Sequence, residues 1–326
     1  MRIPSAGKLS NSICPDPPVF GLPHTKIIAH RGASGHLPEH SLASKCLAFG
    51  MGVDFLEQDV IATRDGQLVV LHDIYLDDVT DVRSRFRNRH RQDGRHYVID
   101  FDLEELRQLR LLERHRVNGG GLKYVERFDG QFDCGGIVTF ADELALTSTL
   151  RRTTGMNVGV CPEIKNPSWH EQHGIDLTAI FADQLAEFTD RRQKLPTYIQ
   201  SFDVAALVRA GALLVDDVAK ILLLETDDVR RIDQQAGGWA ALRQQADGVG
   251  LPYAALLTTN TGSQPQPGPL ADRLRVADLE IFPYTLRKEE AAPFEFETLL
   301  ECLIHGIAVD GIFCDQPETA LRVRDR

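Results

Sequence analysis

The chain has 326 residues, 43% of them apolar and 25% charged, with 36 Lys and Arg against 47 Asp and Glu for a net charge of −11. This is a globular composition, which excludes disordered, collagenous and coiled-coil chains. The acidic balance argues against a general nucleic-acid binder, whose footprint is basic, but admits a small anionic substrate if the site supplies local positive charge.

The first 25 residues are rich in Pro, Ser and polar side chains and read as a loose arm. They lack the apolar stretch of a secretion signal, so the chain as written is expected to be cytoplasmic. A processed or mis-called start would make it periplasmic. KIIAH (26–30) is a short buried strand stopped by Arg31 and Gly32. A helix over 41–50 follows Pro38, with Leu42, Ala43, Cys46 and Leu47 as its apolar stripe. DFLEQDVIAT (54–63) and QLVVLHD (67–73) are strands joined by an Asp65-Gly66 hairpin turn.

An irregular stretch runs over about 74–157. Within it, Asp102 and Glu105 make a capping-box start to a helix over 103–112, with Leu103, Leu106 and Leu109 as its stripe. A second helix covers 140–153. Strand-like runs then recur at 157–164, 197–202, 219–225, 248–253, 279–285 and 311–315, separated by helix-length segments. With 27–30 and 54–60 they make eight strands in the β-α rhythm of a parallel barrel. The expected architecture is an α/β TIM barrel, one domain over 26–326, with 74–157 inserted after strand 2. At about 150 residues per domain this length suggests two domains, but an α/β barrel uses it as one. Residues 258–270 read as a low-complexity loop.

Several patterns are decoys. The six cysteines show no C-x-x-C spacing and are too sparse for a disulfide framework, so they read as small buried hydrophobes. His36-Leu-Pro-Glu39-His40 spells H-x-x-E-H, but Pro38 breaks the helix that a metalloprotease would need. His72-Asp73 lies on a strand, unlike the all-helical phosphohydrolases that use this dipeptide. P-loop, dinucleotide and serine-hydrolase signatures are missing. The arginine-rich run 82–96 reads as a solvated face or, alternatively, as a patch for a phosphate-rich partner. No run approaches the roughly 18 apolar residues that cross a membrane.

Polar residues gather at the ends of the expected strands. His30 and Arg31 end strand 1. Glu57 and Asp59, spaced i, i+2, share a face of strand 2, and Glu163 and Lys165 repeat that spacing on strand 3. Gln200, Tyr284 and Asp315 lie on strands 4, 7 and 8. In a barrel such ends converge on one mouth. Glu57, Asp59 and Glu163 form a hard-oxygen pocket suited to Ca²⁺ or Mg²⁺, or are simply ion-paired with Arg31 and Lys165. His30 and His72 are candidates for proton transfer, and Arg31 and Lys165 for holding an anionic phosphate.

These residues resemble a known family. His30-Arg31-Gly32, Pro38-Glu39, Glu57-Gln58-Asp59 and His72-Asp73 match the opening of the glycerophosphodiester phosphodiesterases. CPEIK (161–165), YIQSFD (198–203), FPYTLR (282–287) and DGIFCD (310–315) follow in the right order. The long insertion and YLDDVTDV (75–82) resemble the bacterial periplasmic branch, which often has His where this chain has Phe282.

The resemblance implies metal-dependent hydrolysis of glycerophosphodiesters to sn-glycerol 3-phosphate and an alcohol, with no nucleic-acid partner and no stable membrane insertion. It implies a divalent metal, Ca²⁺ foremost and Mg²⁺ second, held by Glu57, Asp59 and Glu163. His30 would be the base and His72 the acid. Arg31 and Lys165 would hold phosphate, with Gln200 and Tyr284 as further substrate contacts. The alternative is a phospholipase C- or D-like phosphodiesterase on the same barrel.

Overall fold

The computed structural model describes residues 24–116, 120–191, 194–214, 218–258 and 264–326. The expected N-terminal arm lies outside the described residues but for its last two, and Cys14 lies outside them entirely. Nine strands follow in chain order: β1 (Lys26–Ala29), β2 (Phe55–Ala62), β3 (Leu68–Val70), β4 (Gly159–Ile164), β5 (Tyr198–Ser201), β6 (Ala219–Leu223), β7 (Gly248–Pro252), β8 (Glu280–Tyr284) and β9 (Gly311–Cys314). Eight of them are parallel, in the order β8-β7-β6-β5-β4-β2-β1-β9, and β3 pairs antiparallel with β2. The ring is nearly closed where β8 meets β9: Asp310 N donates to Ile281 O at 3.1 Å and Leu286 N to Phe313 O at 2.8 Å. This is the expected TIM barrel.

The barrel interior is packed by Ile28, Phe55, Cys161, Tyr198, Ile221, Leu223, Phe282 and Phe313, while a larger apolar layer lies between sheet and helices. Phe282 is therefore a core residue, fully buried against Tyr198 and Phe313, and does not line the cavity described below. Strand register sets the site: Asp59 is paired with Glu163, and Glu163 with Gln200. Three polar side chains thus stand side by side on adjacent strands.

The Asp65-Gly66 turn closes the β2–β3 hairpin with Gly66 at φ +73°. The inserted chain beyond it has its own small core, built from Val79, Val82, Val98, Phe101, Leu103, Leu106, Leu109 and Leu111. Helix Phe140–Thr154, at the end of the stretch, packs its Phe140 and Leu144 into the main core instead and belongs to the outer ring.

Three expectations need correction. The helix over 103–112 is only Leu103–Leu106, although its Asp102/Glu105 capping box is present. Leu109 and Leu111 continue the apolar spacing because they fill the insertion core, and Leu111 bridges to Thr80. The apolar stripe of the first helix, Leu42–Met51, faces outward: Leu42, Cys46 and Leu47 are exposed, while Ser44, Lys45, Ala48 and Phe49 are buried. Lys45 turns that helix inward, because its ammonium donates to the Glu57 carbonyl and pairs with Glu143 at 3.0 Å. The loop over 258–270 includes a helix start at Leu270, and residues 259–263 lie outside the described residues.

Five of the six arginines in the arginine-rich run form an ion-paired frame, and Arg87 is exposed. Arg83, Arg85, Arg89, Arg91 and Arg95 pair with Asp77, Asp81, Glu105, Asp100 and Asp78 in turn. Those carboxylates balance the charge of the five paired arginines. The described cysteines are all free, Cys46 exposed and Cys134, Cys161 and Cys314 buried.

Candidate active site

A cavity of about 1300 Å³ opens at the C-terminal ends of the parallel strands. Its walls include His30, Arg31, Glu57, Asp59, His72, Glu163, Lys165, Gln200 and Tyr284, so every residue singled out from the sequence lines one space. The converging strand ends of a barrel make this possible for residues scattered over the chain.

Strand β1 ends at Ala29, and the chain then makes a tight loop with Arg31 at φ +60° and Gly32 at φ +87°. A Cβ on Gly32 would sit 2.9 Å from the Ser44 carbonyl carbon, so only glycine lets this loop lie against the first helix. The loop presents the Arg31 backbone N–H to Glu57 Oε2 at 2.7 Å. The Arg31 guanidinium reaches Glu39 at 3.1 Å and Asp59 at 3.2 Å.

Each histidine has a carboxylate partner. His30 Nδ1 lies 2.7 Å from Asp315 Oδ1, and His72 Nδ1 lies 2.7 Å from Asp73 Oδ1. An ionised carboxylate only accepts, so each Nδ1 carries the proton and each Nε2 is left as an acceptor. Burial and the Arg31 charge push His30 down to about 4, against the pull of Asp315. Burial, Arg31 and Lys165 do the same to His72, also to about 4. Both rings are therefore neutral at pH 7 before substrate arrives.

The carboxylates are arranged as a charge-hungry cluster. Burial, and then the neighbouring Asp59, hold Glu57 well above the usual carboxylate range. Burial likewise raises Glu163 to about 7, despite Lys165 at 2.9 Å. Burial works upward on Asp59 too, but Lys165, His72 and Arg31 outweigh it and hold Asp59 well down. Among the described residues, His40, Glu57 and Asp59 offer ligand atoms within 4.8 Å of one another. His40 is fully buried, and its Nε2 meets Asp59 Oδ2 at 2.8 Å. The donor set is consistent with a divalent cation: clustered, buried oxygens that cannot all ionise without added positive charge are what Ca²⁺ or Mg²⁺ takes.

Two expected substrate contacts are already engaged. The Tyr284 hydroxyl donates to Leu224 O at 2.8 Å, leaving its ring as cavity wall. Gln200 Nε2 donates to Cys161 O at 3.2 Å, while its Oε1 is buried with no partner.

The sequence profile of the Glycerophosphoryl diester phosphodiesterase family matches residues 30–319. The chain belongs to this family. A glycerophosphodiester phosphodiesterase of Haemophilus influenzae is 35% identical over 322 residues, spanning 90% of this chain and 88% of its own. One from Treponema pallidum is 31% identical over 323 residues, spanning 91% and 90%. Among solved structures, an Oleispira antarctica phosphodiesterase in complex with the product sn-glycerol-3-phosphate shares the fold with a TM-score of 0.64 at 21% identity, over 93% of this chain and 98% of its own. A glycerophosphodiester phosphodiesterase of Agrobacterium tumefaciens does so with a TM-score of 0.59 at 23% identity, over 91% and 99%. The family places the chain among the phosphoric diester hydrolases, and the motifs implying this carry the cavity's charged core. Among the described residues, no helix is long and apolar enough to cross a membrane.

The sequence reading left several residues of the site without a role. His40 follows the Pro38-Glu39 pair, and its only pattern in the sequence is the H-x-x-E-H decoy. Asp315 and Asp73 stood in the matched motifs without an assigned partner. Arg114 and Arg127 carry no local signal, since the carboxylates they meet are 41 to 188 residues away in the chain, and Arg287 ends the FPYTLR motif but meets Asp315 28 residues on.

Proposed function

We propose that the protein hydrolyses glycerophosphodiesters such as glycerophosphocholine and glycerophosphoethanolamine to sn-glycerol 3-phosphate and the free alcohol. The observation that carries this reading is the pair of His–Asp dyads facing one cavity together with Arg31, Lys165 and three clustered carboxylates. The two relatives above, which match over nearly the whole chain, support the substrate class.

Arg31 and Lys165 hold the non-bridging phosphoryl oxygens by charge-assisted hydrogen bonds. His30, neutral and with its Nδ1–H hydrogen-bonded to Asp315, takes the proton of the glycerol 2-hydroxyl on Nε2 as that oxygen attacks phosphorus. Asp315 stabilises the imidazolium that results. His72 gives a proton to the departing alcohol oxygen. It is depressed in part by Arg31 and Lys165, and a bound phosphodiester anion offsets both charges and lets His72 take up the proton it must donate. Water then opens the cyclic phosphate with the two histidines exchanging roles. A divalent cation held by Glu57, Asp59 and Glu163 would stabilise negative charge developing on the phosphoryl oxygens. His40 would steady Asp59 in that set through its 2.8 Å contact.

The test is release of sn-glycerol 3-phosphate from glycerophosphocholine and glycerophosphoethanolamine by protein stripped with EDTA and resupplied with Ca²⁺ or Mg²⁺. Turnover returning only with metal, and falling by orders of magnitude in a folded His30→Ala variant, is expected. Metal-independent turnover would sink the roles given to Glu57, Asp59 and Glu163. Lack of turnover with any headgroup would sink the substrate class.

A further inference from the structure

The inserted chain after β3 returns to the cavity at Arg114, Lys123 and Arg127 and meets both dyads. Arg127 is 5% exposed and reaches across the mouth. Its Nη2 donates to Asp315 Oδ2 at 2.9 Å, the carboxylate whose other oxygen holds His30. Its Nε and Nη2 also grip Glu289 at 2.6 and 2.9 Å, and its Nη1 the Ser34 carbonyl at 3.1 Å. The guanidinium therefore ties the insertion to the loop after β1, the loop after β8 and the end of β9 at once. Its plane lies over the Tyr124 ring at 3.9 Å, and the Tyr124 hydroxyl donates to Glu290.

Arg114 repeats the arrangement on the other histidine. Its Nη1 donates to Asp73 Oδ2 at 2.7 Å, the carboxylate whose other oxygen holds His72. Its Nε and Nη2 form a fork on Glu39 at 2.9 and 2.7 Å, and Glu39 in turn binds Arg31. Backbone bonds join the two halves of this segment: Lys123 N donates to Arg114 O at 2.8 Å. One strap thus delivers two arginines, and each closes on the free oxygen of a carboxylate that orients a histidine. The forks on Glu289 and Glu39 fix the plane of each guanidinium, and the one remaining N–H of each then holds Asp315 or Asp73 in place behind its histidine. Asp315 has a second guanidinium, Arg287 Nε at 2.9 Å, whereas Asp73 is met by Arg114 alone among the described arginines.

We propose that Arg114 and Arg127 are positioning residues, and that the stretches 113–116 and 120–127 that carry them form a two-point strap setting the orientation of both histidines. The proposal rests on the acid–base reading of His30 and His72. It makes a divided forecast, because the two arms act on different proton transfers. Arg127 governs the attack, so its loss harms every substrate. Arg114 governs protonation of the leaving alcohol, so its loss harms a substrate with a basic leaving group far more than one with an acidic phenol.

The experiment compares glycerophosphoethanolamine with the p-nitrophenyl ester of sn-glycerol 3-phosphate on Arg114→Gln, Arg127→Gln, His30→Ala and His72→Ala, with matched Arg–His double variants. Arg127→Gln is expected to lower kcat on both esters by about 10-fold, with Arg287 limiting the loss, and KM within about threefold. Arg114→Gln is expected to lower the single-turnover rate of alcohol release by about 10–100-fold on the alkyl ester and far less on the aryl ester, as His72→Ala should, the later opening of the cyclic phosphate being common to both. In the double variants the losses should not add. Should Arg127→Gln fail to fold, Arg127→Lys, which keeps the charge and lacks the fork, carries the same pattern at smaller size. Losses confined to KM, equal effects of Arg114→Gln on the two esters, or full additivity with the histidine variants would overturn the strap. Full activity of His30→Ala and His72→Ala would instead overturn the acid–base reading beneath it.

Discussion

Lys45 is a fully buried cation on a helix expected to be amphipathic the other way round, and its removal has a calculable cost. Its side chain is 1% exposed and that of Glu143 2%, with Nζ 3.0 Å from Glu143 Oε2. The same ammonium donates to the Glu57 carbonyl, directly behind the carboxylate cluster. Lys45→Met keeps the stem's volume but strands Glu143 without its cation. Breaking one side of a buried pair costs about 3–5 kcal/mol, because the partner's desolvation is no longer offset. Burial already holds the Glu143 carboxyl above the usual range with Lys45 in place, and without it the shift grows.

A carboxyl raised in the folded state contributes stability fully below its unfolded value and loses it as pH rises through the folded value. The penalty of Lys45→Met should therefore be larger at pH 8 than at pH 5, where Glu143 takes a proton. Glu143→Leu alone should also cost about 3–5 kcal/mol, and Lys45→Met/Glu143→Leu should recover most of either loss. Urea unfolding of the four proteins at both pH values closes the cycle, and the two single losses together should exceed the double's several-fold. Single costs under about 1 kcal/mol, or singles that simply add, would refute the argument that this pair holds the first helix against β2.

Glu113 is 5% exposed with one oxygen unpartnered, and burial raises it to about 7. Its contribution is present at pH 4.5 and lost as pH rises through about 7, a swing of about 3 kcal/mol at most. Glu113→Gln should accordingly gain melting temperature over the parent at pH 8 and not at pH 5; an equal gain at both would exclude the carboxylate as its source. His40→Asn keeps a residue that tolerates φ +60° but removes the imidazole from Asp59. Calorimetric titration of the metal-stripped protein with Ca²⁺ or Mg²⁺ should show affinity about 10–100-fold weaker, and a change under twofold would deny His40 any part in the cation site. Gly32→Ala should lose at least about 2 kcal/mol in denaturant, since both its φ and its contact with Ser44 exclude a side chain.

Motifs legible along the chain share a physical basis: each is local. A strand repeats every two residues, so Glu57 with Asp59 and Glu163 with Lys165 had to share faces once their strands were recognised. The β-α rhythm called for a parallel barrel, and a barrel called for one mouth. That was enough to bring His30, His72, the three carboxylates and the cations Arg31 and Lys165 to a single cavity. Periodicity failed where burial was decided by charge or by a second core. Lys45 pulled the first helix round because an ammonium had a carboxylate and a carbonyl to satisfy, and the leucines after Leu106 kept helical spacing while filling the insertion core.

The sequence by itself made the barrel and the polar residues of its mouth legible, because these depend on residue type at fixed short spacing, and the family motifs supplied the reaction class. Tertiary structure alone decided how those groups are held. It put Asp315 behind His30, made Phe282 core, paired five arginines of the arginine-rich run with carboxylates and brought Arg114 and Arg127 onto the carboxylates behind the histidines. Such contacts join residues up to 285 positions apart, and no periodicity or propensity encodes which carboxylate a distant guanidinium will meet. That choice is made only when the folded chain excludes water and each buried charge must find a partner.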